Sequence, residues 1–127
     1  MPSLEYFVVA ESATVDQLSN RVSVFNIYDE ILIPKFPMPI GPFVSVCSWN
    51  ASKEDKDEEF QVSVKLQMPD GDHGPFNSNF TMKAKRHRTI LTMNSIPISR
   101  AGTIVFEILL NGEHKAFHTI DVRSLES

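Results

Sequence analysis

Four histidines are the side chains best suited to metal chemistry: His73, His87, His114 and His118. A metal site needs its ligand nitrogens within about 2.1 Å of one ion. His114 and His118 lie four residues apart in a segment typical of a single strand, which separates them by roughly 13 Å. They cannot chelate one ion unless the chain turns between them. We therefore expect no metal site and no cofactor, with His118 buried and the other three histidines exposed.

The segment Asp70-Gly71-Asp72-His73-Gly74 places two carboxylates close together, as calcium loops do. It lacks the later bidentate glutamate that completes such a loop, so we expect a plain glycine-rich turn. A metal- or small-ligand-dependent protein or enzyme that uses the histidines and this turn remains an alternative interpretation.

Nucleophilic catalysis has little support in the sequence. None of the motifs GxSxG, P-loop, GxGxxG or HExxH occurs, and we assign no catalytic residue. The single cysteine, Cys47, follows Val46 in an apolar strand, where a buried and inert thiol is expected. Trp49, at the end of the same strand, is expected in the core. We therefore predict a protein that is not an enzyme.

The basic run Lys83, Lys85, Arg86, His87 and Arg88 is the one cluster of positive charge in an acidic chain. On a strand, Lys83, Lys85 and His87 would face one way and the two arginines the other. Such a face could bind an anion or an acidic partner, and it is our candidate interaction surface. The alternative is an edge strand that carries charge to prevent aggregation. No aromatic residues interleave with the run, as they would in a single-stranded nucleic-acid site.

Composition narrows the classes further. The 127 residues suit one domain, residues 1–127, and the net charge of −4 disfavours binding to nucleic acid or anionic membranes. One cysteine allows neither an internal disulfide nor a cysteine-based zinc site. No run approaches the ~20 apolar residues of a membrane helix, and the opening residues lack a signal core. These features predict a cytoplasmic protein.

The apolar residues favour strands over helices. Val (11) and Ile (10) outnumber Leu (8) and Ala (6), and nine Phe residues are present. From Phe60 to Met68 apolar and polar residues alternate strictly, as in a strand with one wet face. The pattern predicts an all-β, antiparallel, Greek-key-like (immunoglobulin-like) sandwich of seven or eight strands. The strands are expected at residues 4–11, 21–28, 43–49, 60–68, 79–85 (weak), 88–93, 103–110 and 116–122.

The last hairpin turns at Asn111-Gly112, the strongest short hairpin signal in the chain. A two-residue loop would set Phe106 opposite Phe117, whereas a three-residue loop with a bulge gathers the isoleucines on one face. We prefer the second, because register follows the buried pattern. His118 then shares the inner face, near Phe106.

Two connections have expected structural roles. In the polar stretch 11–20, we expect Asp16 and Asn20 to bond backbone amides and tie the loop. Residues 33–43 contain four prolines and cannot form an interior strand, because proline lacks the ladder donor. This segment is expected to cross from one sheet to the other, and it is a second choice for an interaction surface.

The sequence resembles a family of uncharacterised bacterial proteins, a domain of unknown function, over nearly the whole chain. The resemblance is carried by the segments AESATVDQLSNRVSVFNIYDEI, FP, RHRTI and GTIVFEILLNGE, with Ala10-Glu11, Asp16, Asn20, Phe25, Phe36-Pro37, Gly102 and Asn111-Gly112 as its marks. It implies a small, β-rich bacterial protein and supplies no catalytic residue.

The sequence therefore predicts a non-enzymatic binding or protein-interaction module, whose partner is an unidentified protein or a second copy of itself. A structural subunit of a homo-oligomer is a further alternative.

Overall fold

The computed structural model describes residues 1–125 and consists of strands and one 3₁₀ turn, Lys53–Asp55. No helix in this part of the chain is long and apolar enough to cross a membrane. The strands are β1 (Ser3–Val15), β2 (Val22–Ile27), β3 (Glu30–Ile33), β4 (Met38–Ile40), β5 (Phe43–Asn50), β6 (Glu59–Met68), β7 (Gly71–Thr81), β8 (Arg86–Met93), β9 (Ile96–Ile98), β10 (Gly102–Leu110) and β11 (Glu113–Ser124).

Two sheets face each other, which confirms the predicted all-β sandwich. The first has the order β2-β1-β5-β8, the second β3-β11-β10-β6-β7, and β4 pairs with β9 apart from both. Eight of the strands have six residues or more, and three short ones were not foreseen. The pairing is antiparallel except between β3 and β11, which are parallel. A strand that arrives from the other sheet is free to take either direction. The immunoglobulin-like Greek-key connection stays a prediction.

The core fills the space between the sheets. Phe43 from the first sheet meets Phe106 from the second, with ring centroids 5.9 Å apart and an edge-to-face angle of 79°. At one end Trp49 stacks on Phe80, and its Nε1 donates to Thr89 Oγ1 at 3.0 Å. The prediction that Trp49 is a core residue is confirmed.

The second sheet contains both the best and the worst strand prediction. Residues 60–68 lie in β6, as the alternation predicted. β7 was largely missed, because only residues 79–81 of the predicted strand 79–85 belong to it. β7 lies at the edge of the sheet and contains Gly74, Pro75 and several polar residues, which weaken a strand pattern. Residues 71–74 therefore begin a strand, and the expected turn is confined to Pro69 and Asp70.

The last hairpin has the predicted register but not the predicted loop. Ile104 pairs with Ile120, Phe106 with His118, and Ile108 with residue 116. The loop nevertheless has two residues, Asn111 and Gly112, and the register shift lies after Ile108. A bulge inside β11 therefore brings the apolar residues to one face, and the expected three-residue loop was wrong.

The proline-containing segment crosses between the sheets, as predicted. It leaves β3 in the five-stranded sheet and enters β5 in the four-stranded sheet, with β4 between them.

The first hairpin, residues 10–27, leaves the plane of its sheet, and we call it the arm. β1 pairs with β5 only as far as Ala10, and its remaining residues pair with β2 alone. The ladder skips Glu11 and Asn26, and Asn26 has a φ of 59°. Asparagine tolerates this left-handed conformation, and its Nδ2 donates to Glu11 Oε2 at 3.3 Å. Both strands of the arm therefore bend at this pair.

The arm folds back over the outer face of the four-stranded sheet. A straight continuation of β1 would carry its last five residues about 17 Å farther from β8. Instead, the side chain of Arg88 on β8 donates to the backbone carbonyl of Asn20 at the tip of the arm. Val24 of the arm lines a cavity of about 300 Å³ together with Val46 of β5. The arm is thus a partial third layer, and β5 beneath it is buried on both faces.

Candidate functional site

The structure divides the predicted basic surface into two places. Lys83 and Lys85 lie in the connection between β7 and β8, whereas Arg86, His87 and Arg88 begin β8. The two lysines therefore do not share a strand face with His87, and that part of the prediction was wrong. The expected alternation holds only from Arg86 onward. β8 is the terminal strand of its sheet, as the alternative explanation of the charge assumed.

The two lysines border a shallow depression of about 590 Å³ beside the 3₁₀ turn, together with Lys53 and Lys56. Acidic residues of the same segment reduce its positive charge. Lys83 Nζ lies 3.4 Å from Asp57 Oδ1, and both side chains are well exposed. An exposed pair of this kind contributes little to stability.

The two arginines line a cleft between the arm and the outer face of the four-stranded sheet. Its volume is about 610 Å³. The floor is formed by residues of β1, β5 and β8, and the roof by the arm. The lining residues are Glu5, Tyr6, Val15, Asn20, Val22, Ser48, Arg86, His87, Arg88 and Ile90.

A carboxylate at one end of the cleft positions Arg86. Glu5 accepts a hydrogen bond from the Ser48 hydroxyl at 2.9 Å, and its two carboxylate oxygens share the single Nε–H of Arg86 at 3.0 and 3.1 Å. The register of β1 shifts between Leu4 and Tyr6, so Glu5 is the extra residue of a bulge. Bulges redirect side chains, and here the bulge leaves Glu5 to contact the outer face of the sheet. Arg86 is therefore fixed and its charge compensated.

Arg88 joins the floor of the cleft to its roof. It donates to the Asn20 carbonyl, and within residues 1–125 no carboxylate lies at ion-pair distance from it. A guanidinium has five N–H donors, so most of its capacity is left for a ligand.

At the tip of the arm, the side chain of Asp16 bonds backbone amides, as expected. Its Oδ1 accepts hydrogen bonds from the amides of Leu18 (2.9 Å) and Ser19 (3.4 Å), and these bonds hold the pKa of the Asp16 carboxyl below its usual range. Asn20 acts through its backbone: it has a φ of 58°, its amide donates to the Asp16 carbonyl at 2.7 Å, and its own carbonyl accepts from Arg88. The predicted role is confirmed for the Asp16 side chain, while Asn20 ties the loop through its main chain.

The rest of the lining is largely apolar. Tyr6, Val15 and Ile90 are each 37–46% exposed, which is high for large apolar side chains on the inside of a layered fold. The arm therefore covers this face without packing tightly on it. The cleft combines donors for an anion with a surface for apolar groups.

Sequence reasoning missed the arm and with it the roof of the cleft. Ala13 and Val15 alternate with Ser12 and Thr14, and the pattern returns in Val22-Ser23-Val24 after a polar loop. That mirrored alternation predicts a hairpin, with the first strand reaching Val15 rather than residue 11.

Comparison with known families covers nearly the whole chain. Residues 5–123 match the model of a family of unknown function, DUF6941. The chain belongs to this family. The resemblance to an uncharacterised family is thereby confirmed, and five of its marks, Ala10, Glu11, Asp16, Asn20 and Phe25, lie in the arm. No curated protein matches the chain.

The histidines of this DUF6941 member are dispersed. No group of three or more His, Cys, Asp or Glu side chains in residues 1–125 is placed to hold a metal ion. His118 faces inward beside Phe7, with ring centroids 5.4 Å apart, and its Nε2 is buried without a partner among the described residues. Burial lowers the pKa of His118, although the charge of Asp29 opposes this effect. The ring of His114 contacts a carboxylate: its Nδ1 lies 2.8 Å from Glu107 Oε2.

His87 stacks on Phe80, with ring centroids 4.4 Å apart and an angle of 6° between the rings. Burial and, to a lesser extent, the charge of Arg88 lower the pKa of His87. The lowered pKa favours the neutral imidazole, so His87 adds little charge to the cleft. His73, His87 and His118 are all half-buried, so the expectation of a buried His118 with the other three histidines exposed holds only for the exposed His114.

Asp70 has a structural role. It accepts hydrogen bonds from both the amide and the hydroxyl of Ser99, each at 2.7 Å, and these bonds hold the pKa of its carboxyl below the usual range. Asp70 thereby ties the β6–β7 turn to the chain that follows β9.

Cys47 is buried, as predicted. Burial raises the pKa of its thiol to about 12, although a hydrogen bond with Thr89 acts in the opposite direction. The nucleophilic thiolate is therefore scarce at neutral pH.

Proposed function

We propose that this protein is a non-enzymatic binding module that recognises a partner protein in the cleft beneath the arm. The observation that carries the proposal is the cavity of about 610 Å³ in which Arg86 and Arg88 lie beside exposed apolar side chains. Arginine stays protonated in proteins, and Arg88 is not compensated by a carboxylate in the described chain, so it suits the binding of an anion rather than proton transfer. The partner we propose therefore presents an acidic residue next to an apolar one.

The charge of the molecule supports the same choice. The chain has a net charge of −4, and an acidic partner would be repelled by most of its surface. The cleft offers the guanidinium of Arg88, which has no carboxylate partner in the described chain. Charge complementarity of this kind guides partners to one location and excludes others. As a setting we propose a bacterial cytoplasm, on the sequence resemblance and on a chain that cannot form an internal disulfide.

Affinity capture from lysate of the source organism tests the proposal. Three tagged proteins are compared by mass spectrometry: the wild type, the cleft variant Arg86→Glu/Arg88→Glu and the control variant Lys83→Glu/Lys85→Glu. Both variants change the charge by the same amount within six residues of one another, but only the first alters the cleft. Circular dichroism and thermal melting establish that each is folded.

We expect a partner that is retained by the wild type and by the lysine variant and is lost from the arginine variant. If the partner is lost from the lysine variant alone, its binding site is the depression near Lys53. If all three proteins retain the partner equally, the cleft is excluded as the binding site.

A further inference from the structure

The two sheets have four terminal strands, and three of them are closed to further pairing. A terminal strand exposes unpaired N–H and C=O groups, and proteins block such edges with short strands, prolines, bulges or charge. β3 has four residues and is followed by Pro34. β7 contains Gly74-Pro75 and a register shift opposite Lys65. β2 belongs to the arm and bends at Asn26.

β8 is the exception. Its eight residues pair with β5 in one unbroken register, from Phe43↔Met93 to Asn50↔Arg86, and contain neither proline nor glycine. No strand in residues 1–125 pairs with its other edge. The only protection that the strand carries is charge, which repels some sequences and attracts others.

The side chains of β8 indicate which sequences it attracts. Arg86, Arg88 and Ile90 alternate along the strand, and all three line the cleft. In a strand added at this edge, alternate side chains would enter the same cleft opposite these three residues. Arg86 is compensated by Glu5, whereas Arg88 is available to a carboxylate. β8 itself contains no acidic residue, so β8 of a second copy, paired with this edge, offers no such partner.

We propose that β8 accepts an extended segment of the partner protein as an added strand, with an acidic residue opposite Arg88 and a β-branched residue opposite Ile90. The inference rests on the proposed function, because it names the form in which a partner occupies the same cleft. Main-chain hydrogen bonds supply affinity in this mode, and the alternating side chains supply selectivity.

A displayed library of random twelve-residue peptides, selected against the whole protein, is the probe. We expect the enriched peptides to share an acidic residue two positions from a β-branched one. A synthetic peptide of the enriched sequence should slow hydrogen exchange at the amides of residues 86–93. Arg88→Glu should weaken this peptide at least tenfold, and replacing its acidic residue by Lys should restore binding to that variant. The control variant Lys85→Glu should bind within about twofold of the wild type.

The outcomes separate this inference from the proposed function. Peptides that require Arg88 but leave exchange in residues 86–93 unchanged would overturn strand addition and leave the cleft as a binding site. Failure to enrich any peptide, or protection confined to another strand, would also overturn it. A dimer with β8 protected in the absence of peptide would assign the edge to a second copy instead. If Arg88→Glu does not fold, the peptide in which Lys replaces the acidic residue is measured against the wild-type protein. We expect it to bind about tenfold more weakly than the enriched peptide.

Discussion

The hairpin β10–β11 and the arm are both antiparallel strand pairs, but they are held in different ways. β10 lies between β6 and β11, and its Ile104, Phe106 and Ile108 are completely buried. The arm has no further strand beside it, and Phe25 and Ile27 on its strands are about half exposed. The first hairpin is part of the core, whereas the second is a cover fixed at its bend and at its tip.

This difference indicates which part of the molecule can move without unfolding. Regions with few buried apolar contacts open locally at much lower free energy than the core. An arm fixed at its tip by Arg88 can open above the cleft, while the sandwich below stays folded. The two hairpins should therefore respond very differently to substitution.

The largest effect is expected in β10. Phe106→Ala removes a ring that contacts Phe7, Phe43 and His118, and it leaves a cavity in the middle of the sandwich. We expect the free energy of unfolding to fall by about 3–5 kcal/mol. Urea denaturation followed by circular dichroism measures the loss. A loss below about 1 kcal/mol would remove the distinction between the two hairpins.

An intermediate effect is expected from pH at the same hairpin. Because burial lowers the pKa of His118, the folded state binds a proton less readily than the unfolded state. Stability should therefore fall as the pH drops through the usual titration range of histidine, near 6.5. The negative charge of Asp29 opposes this change, and His87 contributes in the same direction as His118.

His118→Phe isolates the contribution of that ring. We expect the variant to lose less stability than the wild type when urea denaturation is repeated at pH 7.5 and pH 5.5. The same loss in both proteins would mean that the protonation of His118 is not coupled to folding.

The smallest effect on global stability is expected at the tip of the arm. Arg88→Ala removes the bond to the Asn20 carbonyl, which we expect to contribute about 1–2 kcal/mol to arm closure. Hydrogen exchange in residues 13–24 should then accelerate by roughly 5- to 30-fold, while the urea midpoint hardly changes. Lys85→Ala, which removes a nearby charge that does not contact the arm, is the matched control. Equal acceleration in both variants would show that Arg88 does not hold the arm.

Strand positions and registers are predicted best from the sequence where one face of a strand is buried along its whole length. The alternation in β6 and the register of β10–β11 followed from burial on one face, and the proline segment could only be a crossing. β7 was missed because an edge strand has little buried surface to impose a pattern. The mirrored alternation could have revealed the hairpin of the arm, but not its placement, because the bend depends on a left-handed Asn26 and the position on Arg88, which lies 68 residues from Asn20. Contacts between residues so distant in the chain leave no periodic signal.

The same limit applies to the candidate site. The basic run was recognised, but its separation into a lysine depression and an arginine cleft depends on where β8 begins. Alternation alone, continued through residues 83–85, gave the wrong face for the lysines. Glu5 and the roof of the cleft could not be connected to the run before the two sheets were assembled.

The central claim is that a partner occupies the cleft of the four-stranded sheet rather than the opposite side of the sandwich. Photo-crosslinking in source lysate tests it most directly, with p-benzoylphenylalanine placed at Ile90 in the cleft or at Phe117, an exposed residue on the outer face of the five-stranded sheet. We predict a discrete crosslinked product from position 90, absent from position 117 and suppressed by Arg88→Glu. A product from position 117 with none from position 90 would contradict the account.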